Sequence, residues 1–154
     1  PGDAGSALGA AALVRKRKLE WRGPYLGTPI LGPVNAREII AELNRTKIVG
    51  IASGRAEFGP RALGNRSLLA DPRDSNIKDA INDIKRRQKF RPFAPAILEE
   101  YATEYFDGPM NEYMQFVAKA KHDYSSVTHV DGTARVQVVK KGCGSAIRQI
   151  LEEW

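Results

Sequence analysis

Residues 47–67 read KIVGIASGRAEFGPRALGNRS. Lys47 to Ala52 is a short β-branched run with the character of a strand, and it empties into Ser53, Gly54 and Arg55. The pattern then changes: glycines stand at 54, 59 and 64, and Pro60 immediately precedes Arg61. Such glycines allow close backbone approach or positive φ, and the proline fixes the chain ahead of the arginine. Arg55, Arg61 and Arg66 can each present a planar fork of donors to phosphate or carboxylate oxygens. Glu57 can orient one of these arginines or take part in polar chemistry; the alternative is an internally salt-bridged structural loop. Neither the dinucleotide-binding G-x-G-x-x-G nor the complete P-loop pattern occurs, so a phosphate site would rest on side-chain cations and irregular backbone donors.

Working outward, Leu68 to Ala70 reads as a short strand and Asp71-Pro72 as a turn. Upstream, Asn35 caps an expected helix over 36–44, with Glu38 three residues on and Ile39, Ile40 and Leu43 as its apolar face. Downstream, Ile77, Ile81 and Ile84 recur at helical spacing, predicting a helix from Asp74 or Ser75 to about Arg87. Phe90 to Leu98 carries Pro92 and Pro95 and should be extended. A short helix or turn follows over 99–106, then strands over 113–120 and 128–139, and a closing amphipathic helix over 145–154. At the front, 6–19 reads as a helix, and the breakers of 21–34 mark a linker or an extended crossing segment. The order points to an α/β or α+β fold with a mixed sheet and flanking helices.

Two further stretches carry chemistry. In residues 85–95, KRRQKFRPFAP, Lys85 at a helix end and Arg91 in the proline-stiffened segment can converge on a polyphosphate. Arg86 and Lys89 read as ordinary surface, and Phe90 and Phe93 as core before base-stacking groups. In residues 128–137, THVDGTARVQ, the side chains of His129, Asp131, Thr133, Arg135 and Gln137 share one strand parity unless Gly132 breaks it. Imidazole, carboxylate, hydroxyl and guanidinium on one side need a polar ligand or network if buried; the simpler reading is a solvated sheet face. His122 reads as surface, and two histidines without closely spaced carboxylates make no convincing zinc site.

The 24 Lys+Arg against 18 Asp+Glu leave a net charge of +6, which attracts anions without separating nucleic acid from nucleotide. Many of the arginines sit among glycines and prolines, which favours a small anionic ligand over a polynucleotide. One cysteine, Cys143, excludes an internal disulfide framework and a cysteine zinc knuckle. No stretch approaches the roughly 20 apolar residues of a membrane span, so a cytoplasmic protein without a membrane partner is expected.

The strings GRAEFGPRALGNRS, FRPFAPAIL and THVDGTARVQ together resemble the signatures of the NodU/CmcH-type O-carbamoyltransferases. The opening PGDAGSALGAAL looks like the end of that family's Kae1-like domain, and YLGTPI like its domain-connecting segment, with Thr28 interrupting the usual Gly-Pro pair. The resemblance implies a Kae1-like remnant over 1–20, a linker over 21–34 and a YrdC-like domain over 35–154 with a twisted mixed sheet, lacking a motif expected after the last helix. It implies ATP-dependent carbamoyl transfer to a hydroxyl, in which the YrdC-like part binds ATP, with Mg²⁺, and carbamoyl phosphate and forms carbamoyl adenylate.

Carried over by resemblance, Lys85, Arg91, His129 and Arg135 are the candidate catalytic residues. Arg55, Arg61, Arg66, Asp131 and Thr133 are the candidate cofactor-binding residues. Asp3 aligns with an aspartate that helps hold a divalent metal in the Kae1-like domain, a metal that this segment is not expected to hold alone. Gln88 stands where the family has glutamate, which leaves the role of Arg87 open. The acceptor hydroxyl, a small molecule, would be bound mainly by the other domain, so overall transfer by these residues alone is not expected. A nucleic-acid-binding module and an inactive structural fragment are the competing readings.

Overall fold

The structure, a computed structural model, describes residues 5–122 and 124–154. It is an α+β fold whose strands pair as four small sheets where the sequence pointed to one mixed sheet. The first helix, α1, spans Gly5–Arg15, ends where Lys16 turns to φ +51, and buries none of its residues. The breaker-rich segment after it is the extended crossing type: strand β1, Pro29–Ile30, pairs antiparallel with β3, Gly54–Arg55. Gly27 lies so close to Ala56 that a Cβ would meet the alanine's own Cβ at 2.7 Å, which is why glycine stands there.

Helix α2, Ala36–Thr46, starts as its sequence requires, with the Asn35 side chain accepting the Glu38 N–H at 3.3 Å. The chain then turns at Lys47, φ +64, into β2, Ile48–Ala52, which pairs antiparallel with β4, Arg66–Ala70. Helix α3, Ile77–Ile84, is shorter at both ends than its isoleucine period predicts. At its front Asp74 accepts the Asn76 N–H in a local turn, and at its back Arg86 adopts φ +50.

Beyond the Pro92/Pro95 segment, β5, Ala96–Leu98, pairs in parallel with β9, Gln137–Val139. Between them a short helix α4, Ala102–Tyr105, leads into β6, Phe106–Asp107, which pairs with β7, Ala118–Ala120; β7 in turn pairs with β8, Thr133–Ala134. The expected strand over 113–120 is therefore mostly turn. The Asn111 side chain accepts the N–H groups of Tyr113 and Gln115, and Met114 sits at φ +54, so only the last three residues reach a partner. The expected strand over 128–139 is broken by a tight turn at 129–133 and again at Arg135 and Val136.

One core cluster lies where these strands meet, with Ala102, Phe106, Ala118, Ala134, Val136 and Val138 buried together. The last helix, α5, Ala146–Glu153, is capped by Ser145 and packs on α2 and β5 with Ile147 and Ile150 buried. Its charged anchor is Arg148, which forks onto Glu100 at 2.6 and 2.9 Å and reaches Glu152 at 2.6 Å and the Val139 carbonyl at 3.3 Å. Among the described residues no helix is long and apolar enough to cross a membrane.

The Arg148 hydrogen bonds hold the Glu100 carboxyl well below its ordinary 4.5, at about 2. A carboxyl whose folded pKa lies below its unfolded one stabilises the fold fully above the unfolded value, and that stabilisation is lost as pH falls toward the folded one. Urea unfolding midpoints of the native chain and Glu100→Gln should therefore differ clearly near neutral pH, with the native chain more stable. The gap should close progressively as pH falls from 4.5 to about 2; a gap independent of pH would contradict this role for the pair.

Candidate active site

The glycine-rich loop is organised by Glu57. One oxygen, Oε1, accepts the backbone N–H groups of Leu63 at 2.7 Å, Asn65 at 2.8 Å and Arg66 at 3.2 Å. The carboxylate thus binds backbone, and neither sequence reading of Glu57, as arginine partner or reactive group, describes it. Gly64 is required twice: its φ is +106, and a Cβ there would stand 2.8 Å from Ile147 Cγ2. That close approach seats the loop on α5 and turns Arg61 toward a cavity of about 570 Å³.

The second wall is built around Asn82, which is fully buried at the end of α3. Its Nδ2 donates to the carbonyls of Lys89 at 3.2 Å and Arg91 at 2.9 Å, and its Oδ1 accepts Arg87 Nε at 2.5 Å. One amide therefore folds the basic stretch back on itself and brings Lys85, Arg87 and Arg91 to the cavity. The Arg87 guanidinium lies 4.4 Å from the centre of the Phe93 ring, and its pKa is lowered by burial and then by the neighbouring Arg91 charge. Phe90, expected in the core, is 75% exposed, because the turn held by Asn82 points it outward.

The third wall comes from the turn at 129–133. The His129 N–H donates to the Thr133 carbonyl at 2.7 Å, the Gly132 N–H to the His129 carbonyl at 3.0 Å, and Gly132 has φ +77. Behind the histidine, Asp131 Oδ1 accepts both the N–H and the hydroxyl of Thr133, at 3.0 and 2.7 Å. These bonds, the hydroxyl's first, hold the Asp131 carboxyl below its ordinary value. The single hydroxyl proton of Thr133 is spent on the carboxylate, so its oxygen must accept at the 2.9 Å contact with His129 Nδ1. In the neutral imidazole this assignment puts the proton on Nδ1 and leaves Nε2 as an acceptor.

The structure thus brings Arg61, Lys85, Arg91, His129 and Arg135 to one cavity, together with Arg87 and Gln137. Asp131 and Thr133 lie behind the histidine, off the cavity wall. Arg55 and Arg66 are elsewhere. Arg66 gives its donors to the carbonyls of Thr28, Ser53, Gly54 and Asn65, and Arg55 gives one to the Leu26 carbonyl at 3.0 Å. Both tie the linker to the loop. Asp3 lies outside the described residues, among which no group of three or more metal-ligating side chains occurs. His122 is an exposed surface residue, its ring 5.3 Å from that of Tyr105. Arg87 and Gln137, with Ser67 and Ser126, are lining polar residues absent from the sequence-based candidates.

A family model described as the carbamoyltransferase C-terminus matches residues 40–154. Nodulation protein NolNO of Sinorhizobium fredii is 38% identical over 188 residues, covering 97% of this chain and 27% of that protein. NolO of Bradyrhizobium diazoefficiens is 38% identical, covering 97% and 34%, and nodulation protein U of Sinorhizobium fredii is 38% identical, covering 100% and 31%. The chain spans about a third of the length of these relatives.

The contact of Gly64 with Ile147 generates an expectation about stability. Gly64→Ala should lower the unfolding free energy by about 2 kcal/mol, through overpacking and a strained φ. Adding Ile147→Val should recover little of the loss, because the atoms met, Cγ2 and Cβ, are kept by valine and the φ strain stays. Chemical denaturation of both variants measures this, and a Gly64→Ala chain as stable as the native one would contradict the close packing.

Proposed function

This chain belongs to the carbamoyltransferase C-terminus family, and from that premise we propose that it is the part of a carbamoyl-transfer enzyme that binds ATP and carbamoyl phosphate and forms carbamoyl adenylate. The observation that carries the reading is the convergence of Lys85, Arg87, Arg91 and Arg135 on one cavity. So many cations repel one another unless anionic oxygens lie between them, and two phosphate-bearing reactants supply those oxygens.

In the proposed sequence, water splits carbamoyl phosphate into carbamate and phosphate. Carbamate oxygen then attacks the α-phosphorus of ATP, the bond to the β-phosphate oxygen breaks, and pyrophosphate leaves. The arginines and Lys85 stabilise charge on the leaving oxygens, and the His129 Nε2 acceptor is suited to take the proton of the attacking water. Mg²⁺ would enter with the nucleotide and neutralise part of its charge. Transfer of the carbamoyl group to a small-molecule hydroxyl, with release of AMP, is assigned to a Kae1-like domain, whose metal would include Asp3 among its ligands. The setting proposed is the cytoplasm.

One observation favours a polynucleotide instead: Phe90 is an exposed ring flanked by Lys89 and Arg91. Phe93, however, is covered by Arg87, so the basic stretch offers one stacking surface and no series of them.

Calorimetric titration should separate these readings. Arg91→Ala should weaken ATP or carbamoyl phosphate about tenfold to a hundredfold, the loss of charge-assisted hydrogen bonds, and Arg86→Ala far less. Equal small effects would remove Arg91 from the site, and tight binding of a short RNA that collapses with salt would favour the polynucleotide. Incubated with ATP, Mg²⁺, carbamoyl phosphate and hydroxyl acceptors, the chain should release pyrophosphate without carbamoylated product. A carbamoylated acceptor made by these residues alone would overturn the division of labour.

A further inference from the structure

Gln137 opens β9 and is 5% exposed, yet its side chain is only half satisfied. Its Nε2 donates to the Leu63 carbonyl at 2.9 Å. The same carbonyl accepts the Tyr25 hydroxyl at 3.2 Å, and Leu63 is itself held through its N–H by Glu57. Rotating the amide by half a turn would set its oxygen against a carbonyl oxygen, so the orientation is fixed from behind. Among the described residues nothing donates to Gln137 Oε1. That atom is not sealed off, since the only fully enclosed side-chain polar atom lacking a partner among them is Ser53 Oγ. Gln137 is one of the residues lining the cation-rich cavity.

Water can serve an amide oxygen that opens on a cavity, so a ligand that displaces this water keeps the bond only if it supplies a donor. The lining cations are donors, but among the described residues none donates to Oε1. Deprotonated phosphate oxygens answer the cations and offer Oε1 nothing, so its complement is an N–H or O–H group of the ligand, and carbamoyl phosphate carries an N–H. Resting on the function proposed above, we infer that Gln137 Oε1 accepts a hydrogen bond from the amino group of carbamoyl phosphate. It thereby selects that substrate over acyl phosphates that lack an N–H. Acetyl phosphate carries the same charge and nearly the same shape, with a methyl group where carbamoyl phosphate has NH₂. The exocyclic amine of adenine is the other planar amino group that could reach this cavity.

The test is competitive titration of the 154-residue chain with freshly dissolved carbamoyl phosphate and acetyl phosphate, and separately with ATP and GTP. The expected result is that carbamoyl phosphate binds about tenfold or more tightly than acetyl phosphate, because a site built to bond an N–H rejects the analogue without it. Gln137→Met, checked for native circular dichroism and melting, should bring that ratio close to one by weakening carbamoyl phosphate alone, leaving ATP against GTP unchanged. The native-chain comparison stands even if the variant does not fold. Equal affinity of the native chain for both acyl phosphates would overturn the role of Gln137 while leaving the anion-binding reading intact. A preference that survives in the folded variant would overturn it too, and so would a Gln137-dependent preference for ATP over GTP, which would give the oxygen to adenine. Binding of no phosphate ligand at all would overturn the functional reading and this inference together.

Discussion

The carboxylate of Glu57, accepting three backbone N–H groups on one oxygen, is the constraint from which the site is built. Hydrogen bonds to a charged group contribute roughly 1.5–3 kcal/mol each, enough for one side chain to fix a loop that has no regular structure of its own. With Leu63, Asn65 and Arg66 held, the Leu63 carbonyl is aimed at Tyr25 and Gln137, Gly64 meets Ile147, and Arg66 is turned back toward the linker. The Leu63 carbonyl lies in a poorly hydrated corner, where burial and the nearby Glu57 charge push the Tyr25 hydroxyl up to about 12. Tyr25 therefore stays protonated and keeps donating across the physiological range.

The cavity's positive charge is maintained by neutral groups placed behind it. Asn82 carries no charge, is fully buried and holds three residues of the basic stretch. Among the described residues Arg87 and Arg91 are thus held in place by an amide and by no acidic side chain that would compete with a ligand. Acidic groups do pair with cations elsewhere: Asp71 with Arg73 and Lys47, Glu100 and Glu152 with Arg148. At Arg87 the support is different: the Asn82 amide and the Phe93 ring face hold its guanidinium.

Much of this was legible in the sequence where a single local cause decides the outcome. Asn35 caps α2, and the β-branched run at 48–52 is a strand, because cap chemistry and side-chain shape act over a few residues. The segments at 113–120 and 128–139 were misjudged because alternation of apolar residues says nothing of an Asn111 side chain capturing two amides, or of Asp131 closing a turn. The same limit applies at the site. Arg61, Lys85, Arg91 and Arg135 stood out through their proline- and glycine-constrained surroundings or a family signature. Arg87 was one basic residue in a run of them, distinguished only by Asn82 five positions earlier, and Gln137 needed the Leu63 carbonyl 74 positions away. Arg55 and Arg66 look in sequence like the ligand-facing arginines because a sequence does not tell a guanidinium facing phosphate from one facing backbone carbonyls.

The linker bonds have a consequence for how the molecule opens. Arg66 gathers carbonyls from Thr28 on one side and Ser53 and Gly54 on the other, while beside it the Gly27 N–H donates to the Ala56 carbonyl and the Ala56 N–H to the Thr28 carbonyl. Residues 24–30 therefore have no independent way to fray: to leave, they must strip the guanidinium, and that guanidinium belongs to the loop pinned by Glu57. Linker and loop form one cooperative unit of local unfolding, whose amides gain and lose protection from solvent exchange together. A segment that reads in sequence as a string of breakers behaves, in the folded chain, as part of the loop that carries Arg61.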